Sequence, residues 1–111
     1  MDLYFVNAQL RKLCSSEKDL VRKFGDRRGK VIAVRLSELR ALPSLASGFQ
    51  IPHLGLHQLK ADRDETFAVK VLDPYRLVLE PAVSPLPRRD DGGLELERVM
   101  AVIVTEILDY H

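Results

Sequence analysis

Along the first half of the chain apolar residues recur at every third or fourth position. Along the second half they alternate with polar residues or run together. The first spacing is that of one face of a helix and the second that of a strand. Leu3-Tyr4-Phe5-Val6 is a short run rich in strand formers. Asn7 follows as an N-cap, and Leu10, Leu13, Leu20, Val21 and Phe24 continue at helical spacing. Ser15-Ser16 ahead of Glu17 and Asp19 suits the first turn of a second helical piece. The stretch therefore reads as one kinked helix or as two, ended by Gly25. Lys30 to Leu42 is a further helix, with Ile32, Leu36 and Leu39 on one face, Val31, Val34 and Leu42 widening it, and Pro43 stopping it. Leu45 and Phe49 suggest a short helical turn before Pro52. Two amphipathic helices joined by a tight link form an αα-hairpin.

The period then changes to two. Leu54 to Lys60 is a strand candidate, and Ala61-Asp62-Arg63-Asp64 a turn. In Thr66 to Leu72, Phe67, Val69 and Val71 share a face; in Tyr75 to Glu80, Leu77 and Leu79 do so with Tyr75, while Arg76, Val78 and Glu80 point the other way. Asp73-Pro74 turns the chain between them. Pro81 to Gly93, with three prolines and two glycines, reads as a mobile polar loop. Val99 to Leu108 is apolar on both faces and belongs in the sheet interior. The order is β-α-α-β-β-β-β: an α+β fold with two N-terminal helices packed on one face of a mainly antiparallel sheet. The other face is left open to a ligand.

Composition narrows the class. A chain of 111 residues, 46% apolar and 30% charged, fits one soluble globular domain over 1–111. No apolar run approaches the ~20 residues that span a bilayer, and the N-terminus lacks a basic segment followed by an apolar stretch. Cys14 is the single cysteine, which fits a reducing, cytoplasmic location. The net charge of +1 is unevenly spread. Residues 1–63 hold 12 Lys and Arg against 6 Asp and Glu, and residues 64–111 hold 5 against 10. The first half thus offers a basic face to a polyanion or a solvated helix surface.

The candidate chemistry gathers on the strands. Asp109-Tyr110-His111 puts an acid, a phenol and an imidazole at the end of the apolar run. On an extended strand Asp109 and His111 share a face and Tyr110 opposes them. Lys60, Lys70 and Arg76 come from three successive strand candidates, a set of cations suited to phosphate or to pairing with Glu80 and Asp62. His57 is a phosphate or base contact, or a histidine bonded to backbone. His53 and His57 have no cysteine or carboxylate cluster beside them to complete a zinc site. Arg63 lies in a turn among carboxylates, and Cys14 sits on an apolar helix face as a small core residue. No Gly-rich phosphate loop is present, so no nucleotide cofactor is expected.

Several segments taken in order resemble a known family. They are Leu10-Arg11-Lys12-Leu13-Cys14, Arg22-Lys23-Phe24-Gly25, Arg35-Leu36-Ser37-Glu38-Leu39-Arg40-Ala41, His57-Gln58-Leu59-Lys60-Ala61-Asp62-Arg63, Pro74-Tyr75-Arg76-Leu77-Val78-Leu79-Glu80-Pro81 and Ile107-Leu108-Asp109-Tyr110-His111. Over nearly its whole length the chain resembles the RelE/HigB-like toxins of type II toxin–antitoxin modules, the plasmid-maintenance killer proteins. The resemblance implies a microbial-ribonuclease type of fold and metal-independent cleavage of mRNA in the ribosomal A site, with no cofactor. It implies as partners the ribosome, mRNA and a small antitoxin, often a helix-turn-helix protein, and no membrane. Family roles fall on His57, Lys60, Arg76, Asp109, Tyr110 and His111 as catalytic residues, and Arg63 matches as an RNA contact. Lys30 and Lys70 join it as RNA-contact candidates by their charge. The chain departs from the family in being nearly neutral overall and in carrying Ala61 where a glycine is common. An α-carboxylate beside His111 is expected to raise the pKa of its imidazole. Two other classes share these features: a non-catalytic regulatory relative, and a ParE-like gyrase inhibitor on the same fold.

Overall fold

The computed structural model describes residues 1–60 and 65–110. Two candidate site residues, Arg63 and His111, lie outside the described residues, as do Ala61, Asp62 and Asp64. The chain runs β1 (Asp2–Phe5), α1 (Ala8–Cys14), α2 (Glu17–Phe24), α3 (Asp26–Ala41), α4 (Leu45–Gly48), β2 (His57–Gln58), β3 (Phe67–Lys70), β4 (Tyr75–Pro81) and β5 (Ala101–Asp109).

Local chemistry sets the helix ends. The Asn7 side chain accepts the Leu10 N–H at 2.8 Å and opens α1; the Ser16 hydroxyl accepts the Asp19 N–H at 3.1 Å and opens α2. Each side chain satisfies a donor that has no partner inside its helix. The stretch that read as one kinked helix or two is therefore two. The next helix starts at Asp26 rather than Lys30, because Gly25 takes φ +97° and lets the chain reverse at once. Ahead of the sheet the chain adds the short α4 and a 3-10 turn over Pro52–Leu54. The first is the helical turn that Leu45 and Phe49 suggest; the 3-10 turn was not expected, being too short to show a period.

The sheet has the order β1-β5-β4-β3-β2. β2 through β5 form an antiparallel meander, and β1 pairs with β5 in parallel. One face packs on the helices: Leu20, Ile32, Leu36 and Leu39 meet Phe67, Val69, Leu77, Leu79, Val102 and Val104 in one core cluster. The strand expected over Leu54 to Lys60 shrinks to His57–Gln58, because Leu54 ends the 3-10 turn and Gly55 is left-handed at φ +54°. Lys60 is consequently exposed beyond the strand, not in it. The stretch read as a mobile loop is tied at several points: Pro81 completes β4, Arg88 bridges to Leu94, and Leu94 is buried in the core. Among the described residues no helix is long and apolar enough to cross a membrane.

Candidate functional site on the open sheet face

The face of the sheet turned away from the helices is read off from the register. His57 lies opposite Ala68, Ala68 opposite Val78, and Val78 opposite Glu106, so these four form one row across four strands. The next row is Lys70, Arg76 and Leu108. Ala68 and Val78 are fully buried yet lie outside the helix-side core cluster; they are the floor between longer side chains.

A break in β5 decides who joins these rows. Leu79 pairs with Val104, but the next residue back, Val78, pairs with Glu106, so Thr105 is an extra residue. Its hydroxyl donates to the Val78 carbonyl at 3.2 Å. A bulge of this kind reverses the alternation beyond it. Val102 and Val104 face the helices before it and Ile107 after it, which turns Glu106, Leu108 and Tyr110 outward. Counting by twos from Val102 and Val104 puts Glu106 on the wrong face. Sequence reasoning missed this carboxylate for that reason, and nothing in the composition of the strand announces the extra residue.

Two cations meet head on. Lys70 and Arg76 are direct cross-strand partners. Like charges so placed cost roughly 0.2–1 kcal/mol relative to a neutral pair. Arg76 is oriented by three neighbours: its Nη1 donates to Asp73 at 3.0 Å and to the Tyr75 carbonyl at 2.9 Å, and its Cζ lies 5.8 Å from the centre of the Tyr110 ring. The Tyr110 N–H donates to the Pro74 carbonyl at 2.9 Å, extending the ladder past β5 and holding the phenol beside Arg76. Tyr110 is 45% exposed, so the ring face is open to a ligand.

His57 is fixed through its backbone neighbour. Its Nδ1 donates to the Gly55 carbonyl at 2.9 Å, which leaves Nε2 as the outward nitrogen. A Cβ at Gly55 would stand 3.1 Å from the Lys70 Cβ, so the turn passes closely beneath Lys70 only because that residue is glycine. Behind the turn, Arg35 donates to the Lys70 carbonyl at 3.0 Å and to Glu38 at 2.9 Å, and Glu38 also bonds His53. Burial opposes ionisation of Glu38, but the hydrogen bonds and charges of His53 and Arg35 outweigh it and hold the carboxyl below its ordinary value. His53 is thus part of a brace under β3. Among the described residues no three His, Cys, Asp or Glu side chains gather as metal ligands.

The sequence-derived candidates divide accordingly. His57, Lys70, Arg76 and Tyr110 share the open face. Asp109 pairs with Tyr75 and lies on the opposite parity, exposed at the end of the helix-covered side. Lys30 is on α3, ion-paired with Asp26 at 3.2 Å. Lys60 stands beyond β2, next to residues outside the described part. The row from His57 to Glu106 spans three strand spacings, about 14 Å between backbones. An imidazole and a carboxylate can therefore flank a group of nucleotide size, with Arg76 and Lys70 alongside.

The fold has a solved counterpart. The chain is similar to a YoeB/ParE toxin from Agrobacterium tumefaciens, with a TM-score of 0.53 and 10% sequence identity, over 100% of each chain. At that identity the likeness is one of fold. No protein-family model and no curated protein matches the sequence.

Proposed function

We propose that this chain is the toxin of a type II toxin–antitoxin module, of RelE/HigB type, and that it cuts mRNA on the ribosome without a metal ion. One observation carries the reading: the cross-strand cation pair Lys70–Arg76, set with His57 and Tyr110 on the open face of a sheet whose fold is similar to that of a YoeB/ParE toxin.

Metal-free cleavage of RNA proceeds by attack of the 2′-hydroxyl on the adjacent phosphate, leaving a cyclic phosphate and a free 5′-hydroxyl. It needs a base at the 2′-oxygen, cations at the phosphate and an acid at the 5′-oxygen. Arg76 and Lys60 supply the positive charge that the transition state demands. Lys70, Lys30 and Arg63 hold the strand by its phosphates. His111 transfers a proton as acid or base, with Asp109 orienting it or acting as base; each positioned group contributes ~10²–10⁴-fold. Glu106, in row with His57, is a second carboxylate for the base role. Tyr110 and the outward edge of His57 offer a stacking surface and a phosphate contact. A small antitoxin with acidic side chains, steered to the same face, silences the protein.

The test is induction of the chain alone, followed by primer extension on translated mRNA. Growth arrest with new mRNA ends, lost in His111→Ala and unaffected by EDTA, supports the proposal. Normal translation without new ends favours a non-catalytic module instead. Cutting that stops in EDTA and returns with one divalent ion removes the metal-free mechanism. Co-expression of a neighbouring open reading frame restores growth and yields a co-purifying complex if the antitoxin assignment holds.

A further inference from the structure

The charged surface does not end at the open face. Around the β3–β4 turn from it, on the helix-covered side where Tyr75 packs, the tip of the helix hairpin sets a second group of cations and aromatic rings. The Phe24 and Tyr75 rings meet edge to face at 5.5 Å. Arg28 lies over the Tyr75 ring at 5.3 Å, and Lys23 over the Phe24 ring at 5.8 Å. An open cleft of about 540 Å³ runs between Phe24, Arg27 and Arg28 on one side and Leu72 and Asp73 on the other. Asp73 is also the partner of Arg76, whose guanidinium faces Tyr110. Asp73 in the turn thus stands between two groups: Lys70, Arg76 and Tyr110 on the open face, and Arg28 and Arg27 at the tip of the hairpin around the sheet's end.

The charges at the hairpin tip are not used up within the protein. Arg27 and Arg28 are exposed, and among the described residues neither makes an ion pair. The Tyr75 ring beneath the Arg28 guanidinium orients it without neutralising it, which leaves its N–H groups for an outside acceptor. The carboxylates close by are already engaged: Asp26 with Lys30 at 3.2 Å and Asp73 with Arg76 at 3.0 Å. Cations alternating with ring faces are what a single strand of nucleic acid fits, since each nucleotide presents one phosphate and one π-face. An acidic protein segment offers the charge without the faces. A duplex hides its faces within the stack.

We infer that this corner is an extended binding track for single-stranded RNA, leading the strand off the sheet between Tyr110 and Arg28 and along Arg27. The inference rests on the ribonuclease reading and adds to it a second set of contacts, one or more nucleotides away from the cut. Its role is affinity and register, not proton transfer. Arg27 and Arg28 are positioning residues.

The experiment uses the full-length chain and a fluorescein-labelled oligouridylate of about 12 nucleotides, with anisotropy read over a salt series. Arg27→Glu/Arg28→Glu is expected to weaken binding at least tenfold and to flatten the salt dependence by about 1.4 in slope, two phosphates at about 0.7 each for a single strand. Arg40→Glu/Arg98→Glu, with the same charge change elsewhere, is the control and is expected to retain most of the affinity. Circular dichroism confirms that each variant is folded. Ultraviolet crosslinking of 4-thiouridine oligonucleotides is expected to reach Tyr75 or Tyr110. If the parental protein cuts translated mRNA while the corner variant binds the oligonucleotide as tightly as the parent, the track is wrong and the ribonuclease reading stands. If the control weakens binding as much as the corner variant, the effect is net charge and the track is again wrong. Equal binding of a polyglutamate peptide assigns the surface to an acidic protein and overturns it. A parental chain that neither binds nor cuts RNA removes both readings together.

Discussion

The two faces of one strand, β4, are governed by different requirements. Leu77 and Leu79 are fully buried against α2 and α3 through Leu20, Ile32 and Leu36. On that side every apolar neighbour agrees with every other, and the result is a packed core. Arg76, one residue from Leu77, faces Lys70 directly across the strand pair. That is a local conflict which the protein keeps, relieved on one side only by the exposed carboxylate of Asp73. Consistency across levels is what makes a sequence fold, and departures from it collect where a protein meets something else. Stability is concentrated on the helix side of the sheet. The like-charged pair Lys70 and Arg76 stands on the other side.

The strongest way to break the contrast is to force apart α2 and α3, the two helices that cover the sheet. At Gly29 a Cβ would lie 2.5 Å from both the Cα and the N of Val21, that is, inside the backbone of the neighbouring helix. No side-chain adjustment relieves that contact. Gly29→Val is expected to abolish the cooperative unfolding transition seen by circular dichroism in urea. A variant that melts like the parent would show that the helical layer does not depend on this approach.

Neighbours on the same strand make the sharper test. Leu77→Ala is expected to lose about 2–5 kcal/mol, the usual range for a buried leucine, and to keep its cutting rate per folded molecule. Arg76→Ala gives up a partly exposed ion pair and relieves a repulsion, so its stability is expected to stay within about 1 kcal/mol of the parent. Its cleavage of translated mRNA is expected to fall about 10²-fold, as for loss of one transition-state donor. Urea midpoints and primer extension on both variants measure the two effects separately. The contrast between faces fails if the losses are exchanged.

The same division governs how much the sequence disclosed. The covered face was legible, because Phe67 with Val69 and Leu77 with Leu79 repeat by twos and Ile32, Leu36 and Leu39 by threes and fours. Caps at Asn7 and Ser16 and the stop at Pro43 were legible for local reasons. The open face was only half legible. Lys70, Arg76 and His57 could be listed, but their alignment depends on register, and Glu106 depends on a bulge at Thr105 that no local signal encodes. Alternation alone sets Asp109 and Tyr110 on opposite faces, but which of them is outward depends on the same bulge. Elements of two or three residues, such as β2 and the 3-10 turn over Pro52–Leu54, are too short for periodicity to bound. The hairpin corner was hidden because Arg28 and Tyr75 are far apart in sequence.

A smaller effect concerns the brace behind Lys70. The Glu38 carboxyl is lowered from its ordinary value of 4.5 by His53 and Arg35, against the opposing effect of burial. A lowered carboxyl contributes stability above its ordinary value and loses it as pH falls through the folded one. The parent is therefore expected to lose stability below pH about 4.5 more steeply than Glu38→Gln, in urea titrations at stepped pH. Parallel curves would mean that the brace carries no linked proton. A drop in RNA binding by Glu38→Gln at neutral pH, with the fold retained, would tie the brace to the open face through the Lys70 carbonyl.

The smallest effect is a reporter and not a defect. Cys14 is the chain's single thiol and is buried in the helix-side core. Burial pushes its pKa up from 9.0 to about 11, with the Arg40 charge opposing. At pH 8 its thiolate fraction is then ~10⁻³, against about a tenth for a thiol at 9.0. Iodoacetamide should label it slowly in the folded protein and quickly in urea. A raised thiol also stabilises the fold below its ordinary pKa and ceases to do so as pH climbs toward 11, so labelling should accelerate through that window. The rate at pH 8 measures opening of the helical layer alone. Leu77→Ala should raise it, since the core it loosens is the one that covers Cys14. Arg76→Ala and Arg27→Glu/Arg28→Glu should leave it at the parental rate, because they alter charge on surfaces that do not hold the helices down. Faster labelling in those variants would show that the open face and the core are coupled, and that the two sides of β4 cannot be treated as separate assignments.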